Sequence, residues 1–206
     1  MRDLLILGGG VHGAEMAEIV ARVNAVAPTW NLLGFLTPDA PGNNQSRSGH
    51  SWLGVHGDLP NYPGAFLVPD NEWPHALDVP PERLVSLIDP SVFLSRTATV
   101  GAGCVLYPHC FVGLNARIGN AVFCLSGSVI NHDVVVEEHV VIASGVSLAG
   151  SVHIESGCYL GQACTVRQNV RIGRGSVIGM GAVVTRDVPP NCVIVGNPGK
   201  KLRDTP

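Results

Sequence analysis

The chain has 206 residues, of which 46% are hydrophobic and 14% charged, so it has enough apolar material for a buried core and is not intrinsically disordered. Its formal net charge of −3 argues against a general nucleic-acid binder. No apolar run reaches the roughly 18 residues of a membrane span, and Asp3 with the three glycines at 8–10 argues against a signal peptide. The six cysteines form no C-x-x-C pair, so we expect a reduced, cytoplasmic protein.

The first ninety residues predict a small α/β domain. Residues 3–7 form an apolar strand, and residues 8–13 satisfy G-x-G-x-x-G. A helix follows, with an apolar face at Met16, Ile19, Val20 and Val23. Such a turn directs backbone N–H groups and a helix N-terminus towards a phosphate. The alternative is that the glycines serve only a tight strand-to-helix turn.

The chain after this helix departs from a dinucleotide-binding fold. A second strand at 31–36 ends in Thr37-Pro38, without the acid that would hold an NAD ribose. Residues 38–51 are expected to form a mobile polar loop, and a third strand at 65–68 ends in Pro69-Asp70-Asn71. A domain of this size favours a single nucleotide, or part of one, as its ligand.

From residue 94 the sequence repeats every six residues. Every sixth residue from Leu94 to Val184, sixteen positions in all, is aliphatic, with Cys124 the one exception. The residue four places after each of these is always Ala, Cys, Ser or Val. A period of six fits short strands joined by tight corners, coiled so that equivalent positions stack and bury a continuous core. Five cysteines occupy these inward positions, where we expect them to pack as small core residues: Cys104, Cys110, Cys124, Cys158 and Cys164.

The repeat resembles the hexapeptide-repeat acyltransferases over residues 90–203. That resemblance implies a left-handed parallel β-helix with three hexads per coil. With the small domain in front, the chain is similar to bacterial sugar acyltransferases, among them the UDP-4-amino-sugar N-acetyltransferases and the sialic-acid O-acetyltransferase relatives. We therefore expect a half-Rossmann substrate-binding domain at 1–89 and a β-helical acyltransferase domain with a C-terminal tail at 90–206.

The resemblance also implies substrate-binding residues in the first domain. The family's glycine-rich turn with its histidine matches Gly10, Val11 and His12, and its Gly-Asn after the third strand appears as Asp70-Asn71, so Asn71 is the fourth expected contact. The family commonly has an Asp pair after its second strand to hold the nucleotide. Thr37-Pro38 stand in that place here, followed by Asp39.

His132 is the candidate catalytic base. Asp133 directly follows it and offers a carboxylate that could orient the imidazole, a side chain that titrates near neutral pH and suits proton removal from an attacking amine or hydroxyl. An isolated His-Asp pair is more often a solvated surface feature. Asn131-His132-Asp133 and residues 147–150 nevertheless match the family's active-site coil, in which the histidine is the proton acceptor and the following acid increases its basicity.

Further residues are expected at an acetyl-CoA site. Gly150 lies one coil beyond His132, and its amide could stabilise the oxyanion. By resemblance, Gln162, Met180 and Lys200 line the rest of the site, whereas a second family histidine is replaced by Val141. Residues 160–203 carry a net charge of +6, because seven basic residues face only Asp187: Arg167, Arg171, Arg174, Arg186, Lys200, Lys201 and Arg203. This basic end suits the phosphates of CoA, although a merely solvated charged end is the alternative.

The sequence thus predicts an acetyl-CoA-dependent acetyltransferase acting on the amine of an amino sugar, with the sugar nucleotide-linked. By resemblance the site lies between β-helices of a homotrimer. We expect no metal cofactor, since His109 and His153 have no histidine eighteen residues away to share one. Two alternatives remain open: O-acetylation of a sugar or serine hydroxyl by the same residues, and a non-catalytic β-helix that binds a nucleotide sugar or serves as a scaffold.

Overall fold

The computed structural model describes residues 1–39, 46–47, 49–71 and 79–205, with side chains described for all of these except 46–47. The chain divides into two compact units. The first comprises Met1–Pro90 with Ala102–Val105, and the second comprises Ser91–Gly101 with Leu106–Pro206. No helix in these described ranges is long and apolar enough to cross a membrane.

The first unit is built on a five-stranded, mainly parallel sheet. In chain order its elements are β1 (Arg2–Leu7), α1 (Gly10–Val26), β2 (Trp30–Thr37), β3 (Ser46–Arg47), β4 (His50–Val55), a 3-10 helix (His56–Asn61), β5 (Phe66–Pro69), a 3-10 helix (Pro81–Arg83) and β6 (Leu87–Ile88). The strand order in the sheet is β3-β4-β2-β1-β5. Strand β1 pairs in parallel with β2 and β5, whereas the short β3 pairs with β4 antiparallel.

The strands and the helix of the first unit each bury their apolar residues in its core. Leu5, Leu7, Leu36 and Leu67 form one buried cluster from three neighbouring strands. Helix α1 buries Met16, Ile19 and Val20 of the predicted apolar face, whereas Val23, at its end, is only half-buried.

The predicted loop at 38–51 needs correction, because β3 lies within it and β4 begins at His50. Strand β4 interrupts its own alternation with Gly54, which is why its pattern gave no strand signal. Residues 40–45 and 48 of that loop lie outside the described residues.

The repeat region is a parallel β-helix. Sixteen two-residue strands recur every six residues, and all but the last three pair with the strand eighteen residues further on, as Phe111 does with Val129. They are β7 (Phe93–Leu94), β8 (Thr99–Val100), β9 (Val105–Leu106), β10 (Phe111–Val112), β11 (Arg117–Ile118), β12 (Phe123–Cys124), β13 (Val129–Ile130), β14 (Val135–Val136), β15 (Val141–Ile142), β16 (Ser147–Leu148), β17 (His153–Ile154), β18 (Tyr159–Leu160), β19 (Thr165–Val166), β20 (Arg171–Ile172), β21 (Val177–Ile178) and β22 (Val183–Val184).

This pairing creates three sheets, which we call faces one, two and three. Face one contains β7, β10, β13, β16, β19 and β22, and face two contains β8, β11, β14, β17 and β20. Face three runs through β9, β12, β15, β18 and β21 to β23 (Cys192–Val195) and β24 (Lys200–Asp204), which form an antiparallel hairpin. Three hexads therefore make one coil, as the resemblance implies.

The two inward positions of each hexad fill the core. Of the sixteen repeat positions, only Leu94 and Val100 are not buried, and of the positions four places later only Ala98 is not. The five cysteines at inward positions are buried free thiols, which confirms the prediction that they pack the core, and Cys192, which was outside that prediction, is buried as well. Burial raises the pKa of Cys158 to about 11 and that of Cys164 to about 12, so both thiols are neutral at physiological pH.

Several corners of the β-helix require a left-handed backbone conformation. Nine residues other than glycine have positive φ: His109, Asn115, Ala121, Asp133, His139, Ser151, Ala163, Asn169 and Asn191. Alanine at such a position costs about 1–2 kcal/mol from crowding of its Cβ. Asparagine and aspartate tolerate the conformation better, and they account for four of the nine.

We expect Ala121→Gly and Ala163→Gly to stabilise the β-helix. Each substitution relieves the left-handed strain but adds the unfolded-state entropy of glycine, so the net gain is about 0.5–1 kcal/mol per site. Urea denaturation at fixed protein concentration measures the change. Ala98→Gly, at a corner with ordinary φ, is the control and should destabilise by a similar amount. Lower stability of both Ala121→Gly and Ala163→Gly would contradict this account of the corners.

Candidate functional site

His132 lies at a corner between faces one and two, in a stack of equivalent positions that we call the His132 corner: Leu114, His132 and Gly150. The backbone fixes this stack, because the Asp133 amide donates to the Leu114 carbonyl at 2.8 Å and the Ser151 amide donates to the His132 carbonyl at 3.0 Å. Each coil therefore holds the next in register. His132 and Gly150, eighteen residues apart in sequence, come into contact as the sequence predicts.

Asp133 orients the His132 ring. The Nδ1 atom of His132 lies 2.8 Å from Oδ2 of Asp133, and the left-handed φ of 59° at Asp133 turns its carboxylate back towards the preceding residue. The hydrogen bond from His132, supported by a second from Asn115, holds the pKa of Asp133 below its usual range. An ionised carboxylate only accepts hydrogen bonds, so Nδ1 carries the proton and Nε2 of the neutral ring keeps its lone pair.

Asn115 is a functional neighbour that the sequence analysis missed. Its side-chain Nδ2 donates to Oδ1 of Asp133 at 3.0 Å, so each carboxylate oxygen of Asp133 has its own partner. The Asn115 backbone amide in turn donates to Oγ1 of Thr97 at 2.9 Å. The repeat contains the signal for this contact, because Asn115 precedes Asp133 by one coil of eighteen residues.

Gly150 makes room for the imidazole. A Cβ built on Gly150 would lie 2.5 Å from both Cε1 and Nε2 of His132, closer than any real contact allows. The missing side chain therefore accommodates the ring edge that carries the lone pair. The His132 side chain is still 56% exposed, so an incoming substrate has access to it.

The other expected CoA-binding residues lie at a different corner. Gln162 and Met180 follow β18 and β21, between faces three and one, and stack through a 2.8 Å bond from the Gly181 amide to the Gln162 carbonyl. The turn of the β23–β24 hairpin, which leads into Lys200, joins them through a bond from the Gly199 amide to the Val183 carbonyl at 2.8 Å. We call Gln162, Met180 and Lys200 the Met180 corner. Face one separates it from Gly150 and the His132 corner.

The basic end is partly neutralised, which corrects the predicted excess of positive charge. Arg171 pairs with Glu155 at 2.6 Å and Lys201 pairs with Asp204 at 2.6 Å, while Arg174 lies 3.9 Å from Glu155. Both acids lie just outside the 160–203 window that gave +6. Within the described residues, no carboxylate pairs with the remaining four basic side chains of that window: Arg167, Arg186, Lys200 and Arg203.

The first unit contains a cleft of about 340 Å³ beside the glycine-rich turn, which we call the glycine-turn cleft. Three of the four expected substrate residues line it, whereas Asn71 is an exposed turn residue beyond the lining. His12 is held by Glu15 at 3.4 Å. The lining residues are Gly9, Gly10, Val11, His12, Thr37, Pro38, Asp39 and Asp70.

Thr37 has a structural role at the rim of this cleft. Its hydroxyl donates to the Asp39 carbonyl at 2.7 Å and accepts from the Trp52 indole at 3.0 Å.

Among the described side chains, no three of the His, Cys, Asp and Glu residues gather closely enough to hold a metal ion.

Comparisons with known proteins agree with this fold. The family model "Bacterial transferase hexapeptide (six repeats)" matches residues 151–186. A search of the curated proteins finds no match. Among solved structures, the acetyltransferase domain of PglB from Neisseria gonorrhoeae FA1090 is 26% identical, with a TM-score of 0.85 over 98% of this chain and 100% of that one.

Two further structures contain ligands. The same PglB domain in complex with acetyl coenzyme A is 24% identical, with a TM-score of 0.84 over 98% of this chain and 99% of that one. PerB from Caulobacter crescentus, in complex with CoA and GDP-perosamine, is 22% identical, with a TM-score of 0.83 over 98% of this chain and 97% of that one. Part of the chain thus matches the hexapeptide-repeat family model, and nearly the whole chain is similar in fold to these acetyltransferase structures. The predicted resemblance is confirmed, and the enzyme class that the matches support is acyltransferase.

We expect Gly150→Ala to reduce acyl transfer about 100-fold without unfolding the protein, because the new methyl group displaces the His132 ring from its position by roughly 1 Å. A crystal structure of the variant should show the His132–Asp133 hydrogen bond broken. Gln168→Ala, one coil further along the same corner, is the matched control and should behave as wild type. Wild-type activity in Gly150→Ala would contradict this role for the glycine.

We expect Asn115→Ala to raise the pKa of the Asp133 carboxyl towards its ordinary value, because one of its two side-chain partners is lost. The depressed pKa means that ionised Asp133 stabilises the fold at neutral pH and that this contribution disappears as the pH falls through the folded-state pKa. Carbon-13 NMR of the labelled carboxyl measures the shift. Asn169→Ala removes an asparagine of the same left-handed conformation with no contact to Asp133, so it should leave that pKa unchanged.

Proposed function

We propose that the chain transfers the acetyl group of acetyl-CoA to the amine of a nucleotide-linked amino sugar, with His132 as the general base and Asp133 as its orienting partner. The observation that carries this proposal is the His132 ring itself. Asp133 fixes it through Nδ1, while the lone pair of Nε2 lies beside the bare backbone of Gly150. The acetyl coenzyme A and GDP-perosamine complexes of the similar structures support the choice of substrates.

The chemistry requires one base. The acceptor nitrogen attacks the thioester carbonyl while Nε2 of His132 takes the proton that the nitrogen loses. The tetrahedral intermediate then collapses and expels the CoA thiolate, which receives the proton from the imidazolium to leave as the thiol. Asp133 stabilises the imidazolium formed in between, and no covalent bond to the enzyme is needed.

The Gly150 amide is the proposed oxyanion donor. The backbone of Gly150 lies against the ring edge that carries Nε2, so a carbonyl being attacked beside that nitrogen lies near this amide. A fixed backbone N–H stabilises the developing negative charge without reorganisation, which typically contributes a factor of about 10²–10³ to turnover.

Acetyl-CoA is proposed to lie between neighbouring copies of a homotrimer. The His132 corner and the Met180 corner lie on opposite sides of face one, so Gly150 and Met180 of a single chain do not form one pocket. In a groove between two copies, one copy supplies the His132 corner and its neighbour supplies the Met180 corner. Exposed Lys200 of the neighbouring copy would then hold the phosphates of CoA together with Arg167 and Arg186, which lie on the His132 side of face one.

The first unit is proposed to bind the acceptor as a half-Rossmann domain at 1–89, ahead of a left-handed β-helical acyltransferase domain at 90–206. The parallel β1-α1-β2 arrangement and the glycine-turn cleft support this assignment. Gly10, Val11 and His12 line the cleft and are the proposed acceptor contacts, with Asn71 as a further one.

We expect wild-type protein to release CoA from acetyl-CoA in the presence of one member of a panel of UDP-, GDP- and dTDP-linked 4-amino sugars, detected with a thiol reagent. His132→Ala should lose about 10³-fold in turnover, because the base is gone, while acetyl-CoA still raises the melting temperature. His109→Asn, an exposed histidine changed to a residue that tolerates its left-handed conformation, is the matched control.

Each contrary result removes a different part of the proposal. Wild-type turnover in His132→Ala would exclude this histidine as the base. No turnover across the panel, with CoA still bound, would exclude a nucleotide-linked amino sugar as the acceptor. Mass spectrometry of the product distinguishes an N-acetyl group from an O-acetyl group.

A further inference from the structure

Asp70 occupies the space inside the glycine-rich turn. It directly follows β5, is 94% buried, and accepts a hydrogen bond from the Gly9 amide at 3.2 Å through Oδ2. A Cβ built on Gly8, whose φ is 142°, would lie 1.8 Å from the same oxygen. The turn therefore requires glycine at position 8 because the Asp70 carboxylate fills the place of a side chain.

The carboxylate lies at the N-terminal end of helix α1. The helix begins at Gly10 with Gly9 as its N-cap, has no side-chain cap and has no acidic residue in its first turn. The backbone amides of such a helix start and the positive end of the helix dipole attract an anion. Asp70 supplies that anion from within the protein and already engages the amide of Gly9.

The charges lining the glycine-turn cleft also disfavour a bound phosphate. Among the described lining residues, Asp39 and Asp70 are acidic, none is Lys or Arg, and the one histidine, His12, pairs with Glu15. A pyrophosphate entering this cleft would meet two carboxylates in a partly desolvated space. Carboxylates instead accept strong hydrogen bonds from hydroxyl groups.

We propose that the glycine-turn cleft binds an uncharged, hydroxyl-bearing part of the acceptor, a vicinal diol of a ribose or a hexose, and that Asp70 keeps phosphate away from the glycine turn. This rests on the proposed function, because it concerns the acceptor of that reaction. It departs from the expectation that the turn holds a phosphate. Asp70 stands where the similar family has a glycine, and the resemblance implies no role for it.

The test is an NMR titration of the full-length protein saturated with CoA. The probes are inorganic pyrophosphate, methyl β-D-ribofuranoside and methyl α-D-glucopyranoside. The reporters are the Gly10 amide, in the turn, and the Trp52 indole N–H, which is bonded to Thr37 at the rim of the cleft. Pyrophosphate should leave both wild-type signals unchanged, and at least one of the two glycosides should shift them saturably. Which glycoside binds identifies the source of the diol.

Two variants of Asp70 separate its charge from its hydrogen bond. Asp70→Asn removes the charge but keeps an acceptor for the Gly9 amide, whereas Asp70→Gly removes both. Pyrophosphate should therefore shift the Gly10 reporter in Asp70→Asn and bind more tightly still in Asp70→Gly, with a Kd at least about tenfold below the highest concentration that leaves the wild type unchanged. Asp39→Asn is the matched control, because it removes one negative charge from the same cleft without releasing Gly9.

Saturable binding of pyrophosphate at Gly10 in the wild type would overturn the proposal, as would no gain in either Asp70 variant or no response to both glycosides. Should Asp70→Gly fail to fold, Asp70→Asn still decides the matter, since it preserves the packing of the turn. The titration needs no turnover. A protein that acetylates a nucleotide sugar but binds pyrophosphate at Gly10 fails only this inference, and one that binds a glycoside without turnover on the panel fails only the proposed function.

Discussion

The hydrogen bonds that join one coil of the β-helix to the next are the constraint on which the site depends. Each strand residue pairs with its equivalent eighteen residues later, as Val129 does with Ser147 and Ile130 with Leu148. This register sets His132 against Gly150 and brings Asn115 within reach of Asp133. A slip of one hexad would move every corner residue to another edge. The buried inward positions prevent slips that are not whole hexads, because such slips would turn apolar residues outward.

The corner residues of the β-helix form the site, and some of them adopt backbone conformations that are unfavourable for most residues. Asp133 adopts a left-handed conformation that most residues avoid, and this conformation turns its carboxylate towards His132. Gly150 contributes by lacking a side chain. Asp133 therefore fixes the Nδ1 edge of the imidazole, and the missing side chain of Gly150, one coil further on, leaves room at the Nε2 edge. The same principle operates in the first unit, where Gly8 gives way to the Asp70 carboxylate.

The sequence was sufficient for the β-helix and its core, because a sixfold period specifies which residues face inward without knowledge of distant contacts. It also identified the His132–Asp133 pair, whose members are adjacent in the chain. Contacts between coils were harder to predict from the sequence. The contact of Asn115 with Asp133 follows only when outward residues eighteen positions apart are compared. Asp70 was compared with a family residue but given no role, because its burial beside Gly9 depends on how β5 pairs with β1 in the folded sheet.

The central claim is that Asp133 holds His132 with its proton on Nδ1 and its lone pair on Nε2. Nitrogen-15 NMR of the ring, above neutral pH where an imidazole is uncharged, reports the tautomer directly. We predict that the Nδ1–H tautomer predominates in the wild type and that the two tautomers average in Asp133→Gly, which keeps the left-handed corner but removes the carboxylate. A wild-type ring protonated on Nε2, or one averaged as in the variant, would contradict the account.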